Sequence, residues 1–175
     1  MALQRRLQLI HCDTNLTDPT GLTGLSGEQF MQQALKVAFA SSDLSVVDQH
    51  FGASKAFVIY AVTPEASRFV EVVEFGEQLQ DGNEDKLTAK LEVLDGCIAV
   101  YSQAVGASAI RQLKSVGIQP VKVSHGAVIS ELLQQLQEEL RQGPSSWLAR
   151  AIEQSSCQRD DSSRFETMER EGWHE

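Results

Sequence analysis

The segment Cys97-Ile98-Ala99-Val100-Tyr101 contains no charged side chain and no break in its apolar character. An apolar run of this length, bounded by Gly96 and Ser102, is the pattern of a strand buried on both faces. Such a strand needs a packed layer above and below it, and helical periodicity lies on either side of it in the chain. Asn83 is placed to cap a helix whose Leu87, Leu91 and Leu94 share one face. A second helix is expected over 106–116, stopped by Gly117. A third carries Ile129, Leu132, Leu133, Leu136 and Leu140 on one stripe and ends before Gly143-Pro144.

Four more strands complete the pattern. Leu35-Lys36-Val37-Ala38-Phe39-Ala40 is one, and Pro120-Val121-Lys122-Val123 is another. Segments 56–62 and 68–75 flank the turn Thr63-Pro64-Glu65-Ala66, so 56–75 reads as a hairpin, with Pro64 fixing φ. A short helix is expected over 144–150, with Trp147 packing back onto the core. Strands joined by single helices run parallel with right-handed crossovers. The order β-β-β-α-β-α-β-α therefore predicts an α/β fold with a mixed five-stranded sheet flanked by helices.

Composition divides the chain in three. Residues 1–34, with glycines at 21, 24 and 27, read as an irregular leader with a short helix near its end. Residues 35–152 form the α/β domain. Residues 153–175 carry seven acids against three bases and read as an acidic, disordered tail. The formal net charge of -9 argues against a nucleic-acid partner, because phosphate binding draws on clustered Lys and Arg. The opening apolar run 7–10 is too short for a signal peptide, and no stretch is long enough for a membrane span. Cys12, Cys97 and Cys157 are odd in number and widely spaced, which points to a reduced, cytoplasmic setting.

Open α/β sheets bind ligands beyond the carboxyl ends of their parallel strands. Three segments leave from that edge: 41–52, 102–108 and 124–126. The first is long for a connection without regular structure, a feature of functional loops. It ends in His50-Phe51-Gly52, where His50 is a candidate metal ligand, Phe51 a candidate shield against water and Gly52 a point of close backbone approach. The plainer reading has His50 capping a turn and Phe51 filling the core. Gly106 and Ser108 open a helix whose amides can face an anion, and His125 opens the last helix, so two histidines share one edge. Cys97 starts its strand at the opposite end and reads as a core residue. His11, Cys12, Cys157 and His174 read as incidental. No GxGxxG, Walker A or GxSxG pattern occurs. A two-metal nuclease would want a carboxylate in the first strand, which has none, leaving only Asp43 and Asp48 in the loop after it.

The segments Lys36-Val37-Ala38-Phe39-Ala40-Ser41-Ser42-Asp43, Val47-Asp48-Gln49-His50-Phe51-Gly52 and Gly82-Asn83-Glu84-Asp85-Lys86-Leu87 closely resemble the nitrogenase iron–molybdenum cofactor biosynthesis family. So do 95–101, 105–113 and Gly143-Pro144-Ser145-Ser146-Trp147-Leu148-Ala149-Arg150, giving a likeness from about 35 to 152. The resemblance implies a ribonuclease-H-like fold without nuclease activity. It also implies transient, non-catalytic binding of iron–sulfur cofactor precursors and of the finished iron–molybdenum cofactor during nitrogen fixation. The implied partners are nitrogenase cofactor assembly proteins, namely a scaffold and a precursor-synthesising enzyme. In a related carrier the histidine of the His-Phe-Gly motif is a cluster ligand, and that position here is His50. The expected site is thus His50 as metal ligand with Ser42, Phe51, Gly52, Gly106, Ser108 and His125 around the cofactor. Arg111 and Lys114 can assist if they face it. The alternatives are a regulatory or protein-interaction module without cluster transport, and a divergent nuclease using Asp43 or Asp48.

Overall fold

The structure, a computed structural model, describes residues 27–75 and 84–154. A helix α1 (Gly27–Gln33) leads into β1 (Leu35–Ala40). Then come β2 (Val46–Val47), β3 (Ala56–Val62), β4 (Ser67–Glu74), α2 (Glu84–Val93), β5 (Cys97–Ser102), α3 (Ala107–Ser115), β6 (Gln119–Lys122), β7 (Ala127–Val128) and α4 (Ile129–Gln142). A last helix, α5, covers 146–154.

Five strands form one sheet in the order β4-β3-β1-β5-β6. β3 pairs antiparallel with β1 and β4, whereas β5 runs parallel to β1 and β6. This is the ribonuclease-H-like mixed sheet that the resemblance implied. The central strand β1 is buried on both faces, and its alternation sorts the core. Val37 and Phe39 face one cluster, with Tyr101, Leu133, Leu136 and Leu148 from the α4–α5 side. Ala38 and Ala40 face the other, with Phe57, Val100, Leu94 and Leu113 from the α2–α3 side. The apolar run of β5 is buried at every position, as the double-sided strand required. Phe30 of α1 packs against Ala61, and Arg68 lies 4.2 Å over its ring.

One expectation needs correction. The segment after β1 is not without regular structure. Within it, β2 pairs antiparallel with β7, Val46 opposite Val128 and Val47 opposite Ala127. Two residues per strand leave no periodic signal in the sequence, and the pairing closes only when the chain ends of β1 and β6 have been brought to the same rim. The cap at Asn83, the segment 1–26 with His11 and Cys12, and 155–175 with Cys157 and His174 lie outside the described residues. Among the described residues, no helix is long and apolar enough to cross a membrane.

Candidate functional site at the carboxyl rim of the sheet

The loop from 41 to 52 is built from its own side chains. Asp43 Oδ1 accepts the N–H of Ser45 at 2.9 Å and of Val46 at 3.1 Å, and the Ser41 hydroxyl at 3.3 Å. These donations, first from Ser45 and then from Val46, hold its carboxyl below the ordinary value. Ser42 donates its N–H to Asp48 Oδ1 at 2.9 Å and its hydroxyl to Asp48 Oδ2. Leu44 takes a positive φ of 68° between these two braces, held by its N–H to Ser41 Oγ at 2.9 Å. Both loop acids are thus committed to the backbone of their own loop. Among the described residues no group of three His, Cys, Asp or Glu side chains is placed to hold a metal ion.

Backbone bonds then tie the loop to the other two rim segments. Gly126, with φ 76°, turns tightly enough to donate its N–H to the Val47 carbonyl at 3.1 Å, and Ile129 donates to Ser45 at 2.9 Å. Gln103 N–H donates to the Gln49 carbonyl at 3.0 Å, and Phe51 N–H to the Ala104 carbonyl at 2.9 Å. His50 sits between those last two bonds. Its backbone is therefore pinned on both sides to the segment that leads into α3, while its own side chain is exposed.

Phe51 is 0 % exposed and stacks on Phe57, ring centroids 5.5 Å apart at 25°. Its ring is a core anchor and cannot line a solvent-side site, so its expected role as a shield gives way to one of position. Gly52 is exposed, its φ is not positive, and a Cβ there would meet nothing within 4 Å. Nothing among the described residues requires glycine at that position. Ser42 is exposed with its hydroxyl engaged by Asp48. Gly106 and Ser108 are exposed at the start of α3, where Gly106 is the N-cap and no side chain caps the helix. His125 does not open α4 as expected but lies in the turn before β7; it is exposed, and its Nδ1 is hydrogen-bonded to the Gln103 side-chain amide. Gln103 thus joins the His50 segment through its main chain and His125 through its side chain.

Cys97 lies at the far end of β5, buried, and burial pushes its thiol up to about 12. Lys114 is in the last turn of α3, at the end away from the rim, and Arg111 is exposed partway along. An open cleft between β6 and α4, lined by residues such as Tyr101, Val121 and Trp147, includes no residue of the loop 41–52. Two contributors were missed from sequence. One is Gln103, which no motif marks. The other is Lys90, which lies in the apolar stripe of α2 between Leu87 and Leu94. A lysine inside such a stripe is itself a signal, since a charge carried into a core needs partners.

Fold and rim together define an α/β domain of ribonuclease-H-like topology that presents one exposed imidazole on a braced loop beyond the carboxyl ends of its parallel strands. A family model described as dinitrogenase iron-molybdenum cofactor matches residues 33–139, and the chain belongs to that family. It is 60% identical over 141 residues to the protein NifX of Azotobacter vinelandii, covering 81% of this chain and 88% of that one. NifX of Herbaspirillum seropedicae is 37% identical over 125 residues, covering 71% and 86%. NifY of Azotobacter vinelandii is 29% identical over 121 residues, covering 69% of this chain and 49% of that protein. The chain is accordingly a NifX-like protein of nitrogenase cofactor biosynthesis.

Proposed function

We propose that this chain is a non-enzymatic carrier that binds iron–sulfur precursors of the iron–molybdenum cofactor, and the cofactor itself, through the imidazole of His50, and passes them on in the cytoplasm. The observation that carries the reading is the way His50 is held. Its backbone is bonded on both sides to Gln103 and Ala104, the next ring is locked in the core, and the imidazole is left to solvent. A neutral imidazole is a good ligand for iron and for related metals.

One replaceable bond suits a carrier better than a closed thiolate cage, because the cargo must leave again. Ser42, Gly52, Gly106, Ser108 and His125 supply the polar rim around it. In this role His125 contributes a ring whose orientation is set by Gln103, as a hydrogen-bonded neighbour sets the ring of a ligating histidine. Delivery and receipt fall to cofactor assembly proteins, a precursor-synthesising enzyme on one side and a scaffold on the other. The domain that does this work is 35–152.

The test is an anaerobic titration of the full chain with isolated iron–molybdenum cofactor, followed by visible absorption. His50→Ala is expected to lower affinity several-fold with an unchanged thermal transition, since the side chain is exposed. Unchanged affinity removes His50 from the site.

A further inference from the structure

Lys90 is only 6% exposed. Its Nζ lies 2.9 Å from the Phe51 carbonyl, 2.7 Å from that of Gly52 and 3.0 Å from that of Ser54, with Ser54 Oγ also at 3.0 Å. A carbonyl only accepts, so each of the three takes an N–H bond from the ammonium. The Ser54 hydroxyl gives its own proton to the Phe51 carbonyl at 2.9 Å. The rings of Phe75 and Phe57 flank the ammonium at 5.2 and 6.0 Å. A cation is thus enclosed behind the segment that follows His50.

Among the described residues the peptide bonds are all trans, so the C=O and N–H of each unit point in opposite directions. Drawing the carbonyls of Phe51 and Gly52 inward to Lys90 turns the N–H groups of Gly52 and Ala53 away from it. Both residues are exposed, and among the described residues neither amide donates a hydrogen bond. The Ser54 carbonyl acts likewise on Lys55, whose N–H is taken by Gln49 Oε1 at 2.6 Å. Two successive amides without an acceptor, beside an exposed imidazole and backed by the Lys90 ammonium, offer donors to an anion.

We propose that the Gly52 and Ala53 amides are an anion-accepting donor pair next to His50, and that Lys90 is the positioning residue that holds them outward. The ligand class is the sulfide-bearing face of an anionic metal–sulfur cluster, which rests on the carrier reading above. The pair also answers a charge conflict, since a chain of net charge -9 must attract an anion locally while repelling it overall. It further supplies a reason for glycine at 52, where nothing among the described residues requires one.

The probe is tetrathiomolybdate, a sulfide-rich dianion, titrated into the full-length chain with amide resonances followed by NMR. The Gly52 and Ala53 amides are expected to shift saturably while those of α4 stay still. Lys90→Met keeps the apolar stem and removes the ammonium; affinity read at the same two amides is expected to fall at least about fivefold. If Lys90→Met does not fold, Ser54→Ala, which removes one of the four oxygens around Nζ, is read in the same way and is expected to show a smaller loss. Absence of a saturable shift at Gly52 and Ala53, or shifts scattered over surface lysine neighbours alone, overturns the donor pair. Equal affinity in the folded variant overturns the role of Lys90. The tetrathiomolybdate titration reads the two amides and the Lys90 variant, whereas the cofactor titration reads His50→Ala. Failure here and failure of the cofactor titration are therefore separate results.

Discussion

His50 and Phe51 are neighbours in the chain and opposites in environment: the imidazole is exposed, and the phenyl ring beside it is 0 % exposed against Phe57. The buried ring fixes where the exposed one can be. A ligand on a free loop would lose conformational entropy with every binding event, and one held by an adjacent core side chain has lost it already.

Removing that anchor has a definite cost. Phe51→Ala is expected to destabilise the domain by about 3–5 kcal/mol, the range for deleting a buried phenyl ring. Urea denaturation followed by circular dichroism measures it. A change within the scatter of surface substitutions would show that the ring is not part of the core.

Gly52→Ala separates the fold from the site. With no neighbour within 4 Å of the added Cβ and no positive φ, the substitution is expected to leave the melting temperature unchanged or slightly raised. Affinity for the isolated cofactor is expected to drop, because the methyl group stands where the cluster approaches. Equal affinity in the anaerobic titration removes the need for a glycine there.

Asp43 predicts an acid dependence of the loop. Its folded carboxyl is held below the ordinary 3.8 by N–H donation, chiefly from Ser45 and Val46. Above 3.8 it is ionised in both states and the brace is fully present. As pH falls below 3.8 the unfolded chain takes up the proton first, and the brace is lost as pH passes through the lower folded value. The melting difference between the parent and Asp43→Ala is therefore expected to be full near about pH 6 and to shrink near about pH 3. A difference that does not vary across this range contradicts the brace.

Cys97 is expected to be inert in the folded protein. Burial pushes its thiol from an ordinary 9.0 up to about 12, which lowers the thiolate fraction at neutral to mildly basic pH by about 10³-fold. In a Cys12→Ser, Cys157→Ser background, alkylation near about pH 8 should be slower by that order in the native state than in urea. Rapid native labelling would place the thiol at the surface and reopen it as a ligand.

Much of the fold was legible because it rests on burial periodicity. The double-sided strand at 97–101, the hairpin at 56–75 and the leucine stripe of α4 all announce themselves by which residues must leave water. The candidate site was legible only in part. His50, Gly106 and His125 lie in the three segments that local pattern places on one edge. Phe51 was open to two readings, and only its packing against Phe57 chose between them.

What the amino-acid order determined by itself is the set of longer elements, the parallel and antiparallel pairing of the main sheet, and the rim from which three loops leave. These follow from local patterns of period two and 3.6. What only the tertiary structure decided is how the rim is assembled. The two-residue β2–β7 ladder, the Gln103 bonds to Gln49 and His125, and the Lys90 cage join residues 22 to 82 positions apart. Such contacts have no period. They form because buried amides and one buried ammonium must find oxygen partners wherever the packed chain brings them.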